Sequence, residues 1–416
     1  MNNTERITPE TIRYNLTNLR QVTFEVTDDC NLQCKYCGYG EMYCGYDKRE
    51  SKYLDFKSIK PLLDYLIDIW KNSMPDSSAP ITYVSFYGGE PLLNVPFIKQ
   101  VIEYIEASEL NRKILYSLTT NAVLLERYMD YLVQKDFHIL ISLDGNEDNH
   151  SYRVDKSGNN SFYRVTNNIQ KLRDTYPKFF KTNVNFNSVL HNRNSVESIH
   201  EYITTEFGKI PSISELNNSG IRPEKKEEFD RTYRNKSESL RESENYAKLS
   251  QELFMNEPNT HELLLYLHKY SGNVYRDYID LFLDPEKAYC TPSGTCTPFS
   301  KKMFITVNGK ILQCERIDHC FALGNVSATG LELDLNRIAR VFNNYLDKIQ
   351  SKCSICYRKR SCIQCLYYIE TINQDSPQCH GYMDKDAYDA YTSFCLSHLY
   401  AHPELYNRLM TEVVLE

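Results

Sequence analysis

The stretch Asp29-Cys30-Asn31-Leu32-Gln33-Cys34-Lys35-Tyr36-Cys37, DCNLQCKYC, puts three cysteines into eight positions directly after Gln21 to Val26, an alternating apolar run that reads as a strand. A cubane of four irons and four sulfides has four iron corners and takes cysteine thiolates as its usual protein ligands. Cys30, Cys34 and Cys37 satisfy three corners and leave the fourth for another molecule. Two other readings stay open for the stretch by itself: a four-cysteine zinc site completed by Cys44, or two buried cysteines and a bystander.

Outward from this loop the chain alternates. Ile59, Leu62, Leu63, Leu66, Ile67 and Trp70 recur at helical spacing, and a strand at Ile81 to Tyr87 closes on Gly88-Gly89-Glu90-Pro91. A helix from about Phe97 to Glu109 leads to a strand at Ile114 to Thr119 that runs into Asn121. A helix near Leu124 to Gln134 leads to a strand at His138 to Leu143 that carries Ser142 and runs into Asp144-Gly145. A helix at Phe162 to Arg173, a strand at Thr182 to Leu190, a helix at Val196 to Phe207 and a short strand at Ile210 to Ile213 continue the pattern. Repeated strand, loop and helix units predict the α/β class, a parallel sheet with helices outside. Strand C-terminal ends converge in such a sheet, so the cysteine loop, the glycine pair, Asn121 and Asp144 are predicted to share one end, where these folds place their chemistry.

The chain has 416 residues, a formal charge of -7 and 41% apolar residues. That balance offers no broad cationic surface for nucleic acid. No apolar run approaches a membrane span and Met1 to Pro9 is polar, which predicts a cytoplasmic protein without membrane association. Fourteen cysteines in so long a chain point to metal ligation ahead of disulfides. They are unevenly spread: four between Cys30 and Cys44, none from 45 to 289, and ten from Cys290 to Cys395. We therefore divide the chain into a catalytic region 1–213, a helical bridging segment 214–289 and a cysteine-rich region 290–416 with a helical tail. The bridge is rich in charge and reads as a solvated face, with a more amphipathic Glu262 to Leu283 after Pro258. In the last region Met303 to Val307 and Lys310 to Gln313 flank Asn308-Gly309, a hairpin signal, and a helix follows at Leu333 to Ile349.

CNLQCKYC, YGGEP at 87–91, TTN at 119–121 and ISLDG at 141–145, each at a strand end, resemble the radical S-adenosylmethionine superfamily. The resemblance implies a partial (β/α)6 TIM-like barrel with a small cysteine-rich C-terminal extension. It implies that Cys30, Cys34 and Cys37 hold a catalytic [4Fe-4S] cluster whose open iron is chelated by S-adenosyl-L-methionine. Tyr36 resembles the aromatic residue beside the adenine, Gly88 and Gly89 let backbone approach the methionine amino group, and Glu90 orients that end. Asn121, Ser142 and Asp144 are pocket candidates, as is Arg153, which resembles a position of the peptide-modifying subgroup.

Cys296, Gly309, Cys314 and the dense block Cys353, Cys356, Cys362, Cys365, followed by Cys379, are similar to the SPASM extension of peptide-modifying radical enzymes. The family commonly has three residues between the last two cysteines of that block, and this sequence has two. Carried over, Cys290, Cys296, Cys314 and Cys365 would hold a first auxiliary [4Fe-4S] cluster and Cys353, Cys356, Cys362 and Cys379 a second. Cys44, Cys320 and Cys395 read as buried thiols.

The resemblance implies hydrogen abstraction by a 5'-deoxyadenosyl radical. The preferred expectation is a maturase that crosslinks or otherwise oxidises a ribosomally made peptide. The alternative is an anaerobic sulfatase-maturing type of enzyme that oxidises a Cys or Ser to formylglycine. Glu315, next to Cys314, stands where those relatives carry an aspartate base, and is the candidate catalytic residue. A small electron donor such as flavodoxin or ferredoxin is implied. About twenty residues precede the first strand, too few for a winged-helix leader-binding domain, so residues 215–285 or a separate leader-peptide-binding protein are expected to recognise the substrate.

Overall fold

The structure, a computed structural model, describes residues 6–254, 258–270, 295–359, 362, 364–369 and 371–413. Cys290 and the later part of the expected helix Glu262 to Leu283 lie outside the described residues. The chain forms two compact units, one of Ile12–Leu249 with Phe299–Asp334, the other of Met1–Thr11, Ser250–Pro298 and Leu335–Glu416.

The first unit is built on a ten-stranded sheet: β1 Gln21–Thr27, β2 Ile81–Gly88, β3 Lys113–Thr120, β4 His138–Ser142, β5 Val184–Leu190, β6 Ser212–Glu215, β7 Lys302–Ile305, β8 Lys310–Leu312, β9 Gly324–Ser327 and β10 Gly330–Glu332. Spatial order is β10-β9-β8-β7-β1-β2-β3-β4-β5-β6, and β1 to β6 pair in parallel in sequence order, the partial barrel expected. Period-two alternation explains the curvature's two faces. Val22, Phe24, Val84, Phe86 and Leu118 are buried, with Phe24 against Phe97 of the helix Val95–Glu106 at 5.9 Å between centroids. Their polar neighbours Gln21, Thr23, Ser85, Ser117, His138 and Asn185 line the inside.

Three element boundaries differ from expectation for local reasons. Pro177–Asn183 is a helix, Pro177 fitting its first turn, so β5 begins at Val184 and not at Thr182. β6 begins at Ser212, after Pro211, whose missing N–H cannot serve a ladder. The helix expected to stop at Ile349 runs Leu335–Ile355 and carries Cys353 in its last turn. The Asn308-Gly309 hairpin is present: Gly309 has φ +81°, and a Cβ there would lie 2.1 Å from the Val326 carbonyl oxygen. Nothing local announced its partner. β7 pairs in parallel with β1, from Gln21 opposite Lys302 to Phe24 opposite Ile305, so the hairpin continues the barrel sheet past its first strand.

In the second unit the helices Pro258–Leu264, Lys385–Ala401 and Pro403–Thr411 pack around Leu263, Leu264, Cys395 and Leu409. Arg358 closes onto Glu262 at 2.7 Å.

Candidate active site

The cysteine loop leaves β1 through two acidic clamps. Asp28 accepts backbone N–H bonds from Glu50 (2.9 Å) and Lys52 (2.5 Å), and Asp29 accepts from Cys30 N–H (2.9 Å) and Lys156 Nζ (3.1 Å). The loop then lies along residues 152–155: Gln33 N–H donates to Val154 O at 2.7 Å and Lys35 N–H to Tyr152 O at 3.1 Å. Burial chiefly, with Cys37 adding to it, pushes the Cys30 thiol up to about 11 and the Cys34 thiol up to about 12. Such thiols become ligands by giving up their protons to bound iron, and three of them within eight positions are the donor set that an iron-sulfur cluster takes.

Gly88 and Gly89 are required by the same loop. A Cβ on Gly88, at φ +133°, would stand 2.3 Å from Thr27 O, and one on Gly89 would stand 1.8 Å from Asp29 O. Gly89 N–H donates to Thr27 O (2.8 Å) and Glu90 N–H to Asp29 O (3.0 Å), which locks the end of β2 against the loop. Glu90 is fully buried and ties β2 to β3, accepting from Leu92 N–H (3.1 Å), Thr120 Oγ1 (2.7 Å) and Asn121 N–H (2.8 Å). Burial pushes it up to about 7 against those donors. Asn121 donates through Nδ2 to Asn31 Oδ1 at 2.7 Å, one residue from the first ligand candidate. Ser142 ends β4 half-buried, opposite Asn187.

Asp144 and Arg153 are spent on each other. Arg153 Nε and Nη2 grip the fully buried Asp144 carboxylate at 2.9 and 3.0 Å, Val189 N–H donates to it at 3.0 Å, and the Tyr36 hydroxyl donates to it as well. Burial opposes its charge, but Arg153 and the His191 bond outweigh burial and hold Asp144 well below the usual carboxylate range. Arg153 also lies 5.4 Å from the Tyr36 ring centroid. The pair therefore supports the aromatic residue between Cys34 and Cys37 from behind. The charged stretch after β6, expected to be a solvated face, covers this support: Leu216 and Phe229 pack on Tyr36 and Tyr152, and Tyr43 bridges to Ile221.

Against the inner face of the sheet is a cavity of about 340 Å³, lined by Gln21, Thr23, Ser85, Ser117 and His138 together with Phe86, Leu118 and Ile139, with Glu315 and Lys302 on its wall. Lys302 Nζ meets Glu315 Oε2 at 2.9 Å. Lys302 had no sequence signal beyond its place at the start of β7. Parallel pairing with β1 brings it here.

The C-terminal cysteines fall into two groups. Cys353, Cys356, Cys362 and Cys379 border one cavity, with Lys352 and Lys359 beside them. Cys296 and Cys365 are within electrostatic range of each other, joined by Thr295, whose Oγ1 accepts from Leu366 N–H at 2.7 Å. Cys314 belongs to the sheet unit. Cys44 and Cys320 are exposed, which corrects the expectation of buried thiols, whereas Cys395 is buried. Among the described residues every cysteine is reduced, and no three Cys, His, Asp or Glu side chains are arranged to hold a single metal ion. No helix among them is long and apolar enough to cross a membrane.

Residues 24–204 match the Radical SAM superfamily. The chain is 27% identical over 352 residues to an uncharacterised protein of Methanocaldococcus jannaschii, covering 83% of this chain and 97% of that protein. It is 24% identical over 207 residues to the radical SAM cyclopropyl synthase TigE of Paramaledivibacter caminithermalis, covering 47% of this chain and 42% of that protein. It is 29% identical over 147 residues to the serine-type anaerobic sulfatase-maturating enzyme of Bacteroides thetaiotaomicron, covering 35% and 34%. The chain thus spans less than half the length of the last two. The solved structure of native anSMEcpe with bound AdoMet has the same fold, with TM-score 0.58 and 19% identity over 94% of this chain and all of that one.

Proposed function

We propose that this chain, whose residues 24–204 match the Radical SAM superfamily, is a peptide maturase that removes hydrogen from a ribosomally synthesised peptide and installs a crosslink or other oxidative modification. The observation that carries this reading is Glu315, a carboxylate held by Lys302 at 2.9 Å on the wall of the cavity against the inner face of the sheet. Cys30, Cys34 and Cys37 would hold the catalytic cluster, and Tyr36, Gly88, Gly89, Glu90, Asn121 and Ser142 would surround S-adenosylmethionine. A cluster and S-adenosylmethionine held there would supply abstraction of a hydrogen atom from unactivated carbon. As the new linkage forms, Glu315 would take the substrate proton and the one remaining electron would leave through the auxiliary clusters, while Lys302 fixes the carboxylate's position. Thr23, Ser85, Ser117 and Asn185 offer hydroxyl and amide partners to an extended peptide. The C-terminal cysteines would hold two auxiliary clusters, in a cytoplasmic enzyme reduced by flavodoxin or ferredoxin and assisted by a leader-binding protein.

A second reading, formylglycine formation on a Cys or Ser, is favoured by the identity with the sulfatase-maturating enzyme over 147 residues. Anaerobic expression with the precursor peptide encoded beside the gene, followed by tandem mass spectrometry, separates the two. The expected product is lighter by two hydrogens per linkage, with fragmentation suppressed across the joined segment. Glu315→Gln is expected to keep its clusters and reductive cofactor cleavage while losing product by about a hundredfold. A hydrazine-reactive aldehyde on a sulfatase would favour the second reading and defeat the first.

A further inference from the structure

Arg49, on the loop after the cysteines, has no part in the chemistry described above. Its Nε and Nη2 are buried and have no hydrogen-bond partner among the described residues, and no carboxylate there pairs with it within 4.0 Å. The guanidinium carbon lies 4.8 Å from the Tyr39 ring centroid, and the Tyr39 hydroxyl is likewise buried without a partner among those residues. Tyr39 follows Cys37 by two residues, which places the pair on the cysteine loop. Tyr39 in turn packs against Tyr87 at 6.1 Å, and Tyr87 lines the inner cavity.

Buried donors without acceptors are destabilising, and charged ones most of all, so an acceptor from a ligand accounts for the arrangement. Nε and Nη2 form the guanidinium edge that matches a carboxylate's two oxygens, the same edge by which Arg153 grips Asp144. Glu25 does not serve as that acceptor: its Oε2 takes the Val307 N–H at 2.9 Å, and it forms no ion pair with Arg49. We propose that Arg49 and the Tyr39 hydroxyl form a carboxylate-binding niche. Two carboxylates can reach such a place, that of S-adenosylmethionine and an acidic group of the peptide substrate, the second resting on the maturase reading.

The full-length protein, reconstituted without oxygen, is compared with Arg49→Gln, Arg49→Lys and Tyr39→Phe. Two affinities are measured: for S-adenosylmethionine, and for N-acetylglutamate amide against its neutral partner N-acetylglutamine amide. Arg49→Gln is expected to weaken S-adenosylmethionine binding, or to abolish the preference for the glutamate probe, by about tenfold or more. The first result identifies the cofactor carboxylate and the second a substrate carboxylate. Arg49→Lys, which keeps charge without the fork, should fall between. Unchanged values for both ligands in an Arg49→Gln protein of normal iron content and melting behaviour overturn the niche. If that variant loses its iron, Tyr39→Phe decides: weakening of the same ligand by about threefold supports the niche, and no change overturns it. Reductive cofactor cleavage by the wild type is followed in parallel. Its absence, with the Arg49-dependent preference intact, would remove the radical-enzyme reading and leave the niche standing.

Discussion

Three buried carboxylates, Glu25, Glu90 and Asp144, meet two different fates, decided by their partners. Asp144 has a guanidinium on two oxygens and stays charged, whereas Glu25 and Glu90 have only neutral donors and are pushed up to about 7, chiefly by burial. For Glu25 the sign follows directly. Its folded value lies above its ordinary 4.5, so the folded state holds the extra proton and stability falls as pH rises from about 4.5 to about 7. Glu25→Gln keeps an oxygen for the Val307 N–H and removes the ionisation. It should match the wild type near pH 5 and exceed it by up to about 3 kcal/mol above pH 7 in urea unfolding. Equal pH slopes for the two proteins would refute the burial account. Sequence did not single out Glu25, because a lone glutamate in an alternating strand reads as solvent-facing. Inside a barrel that alternation points inward.

At the level of elements, the loop 144–155 serves as a mould for the cysteine loop. It supplies the carbonyls of Tyr152 and Val154 and the Asp144–Arg153 pair behind Tyr36. Arg153→Gln leaves a buried carboxylate uncompensated and should cost about 3–5 kcal/mol, with lowered iron retention. Adding Asp144→Asn should restore much of that loss. Full stability and iron in the single variant would show that the loop is held by other contacts. The motifs that placed Asp144 and Arg153 near the site were legible, but their pairing was not, since motif position carries no partner. The strands were legible for a comparable reason. Val22, Phe24, Val84 and Phe86 alternate visibly, and Gly88-Gly89 marks a stop. The union of β7 with β1 was not, because a hairpin signal such as Asn308-Gly309 fixes its own turn and says nothing of what its outer edge will meet.

For the molecule as a whole, eleven cysteines assigned to three clusters predict about twelve irons and twelve sulfides per chain after purification without oxygen. Replacing Cys353, Cys356, Cys362 and Cys379 together by serine should remove about four of each and leave the reductive cleavage of S-adenosylmethionine detectable. Loss of zinc in place of iron would turn that cavity into a structural zinc site. The pairing of β1 with both β2 and β7 also bears on biosynthesis. The first strand leaves the ribosome some 275 residues before Lys302 does, a lag of roughly 15–55 s at ordinary elongation rates. Throughout that interval one edge of the nascent sheet has no mate and can recruit a neighbouring chain. Translation stopped after Pro298 makes the delay permanent, and such a fragment is expected to collect in the insoluble fraction when the full chain does not. Recovery of the fragment as dispersed monomer would mean that another segment shields the β1 edge until β7 arrives.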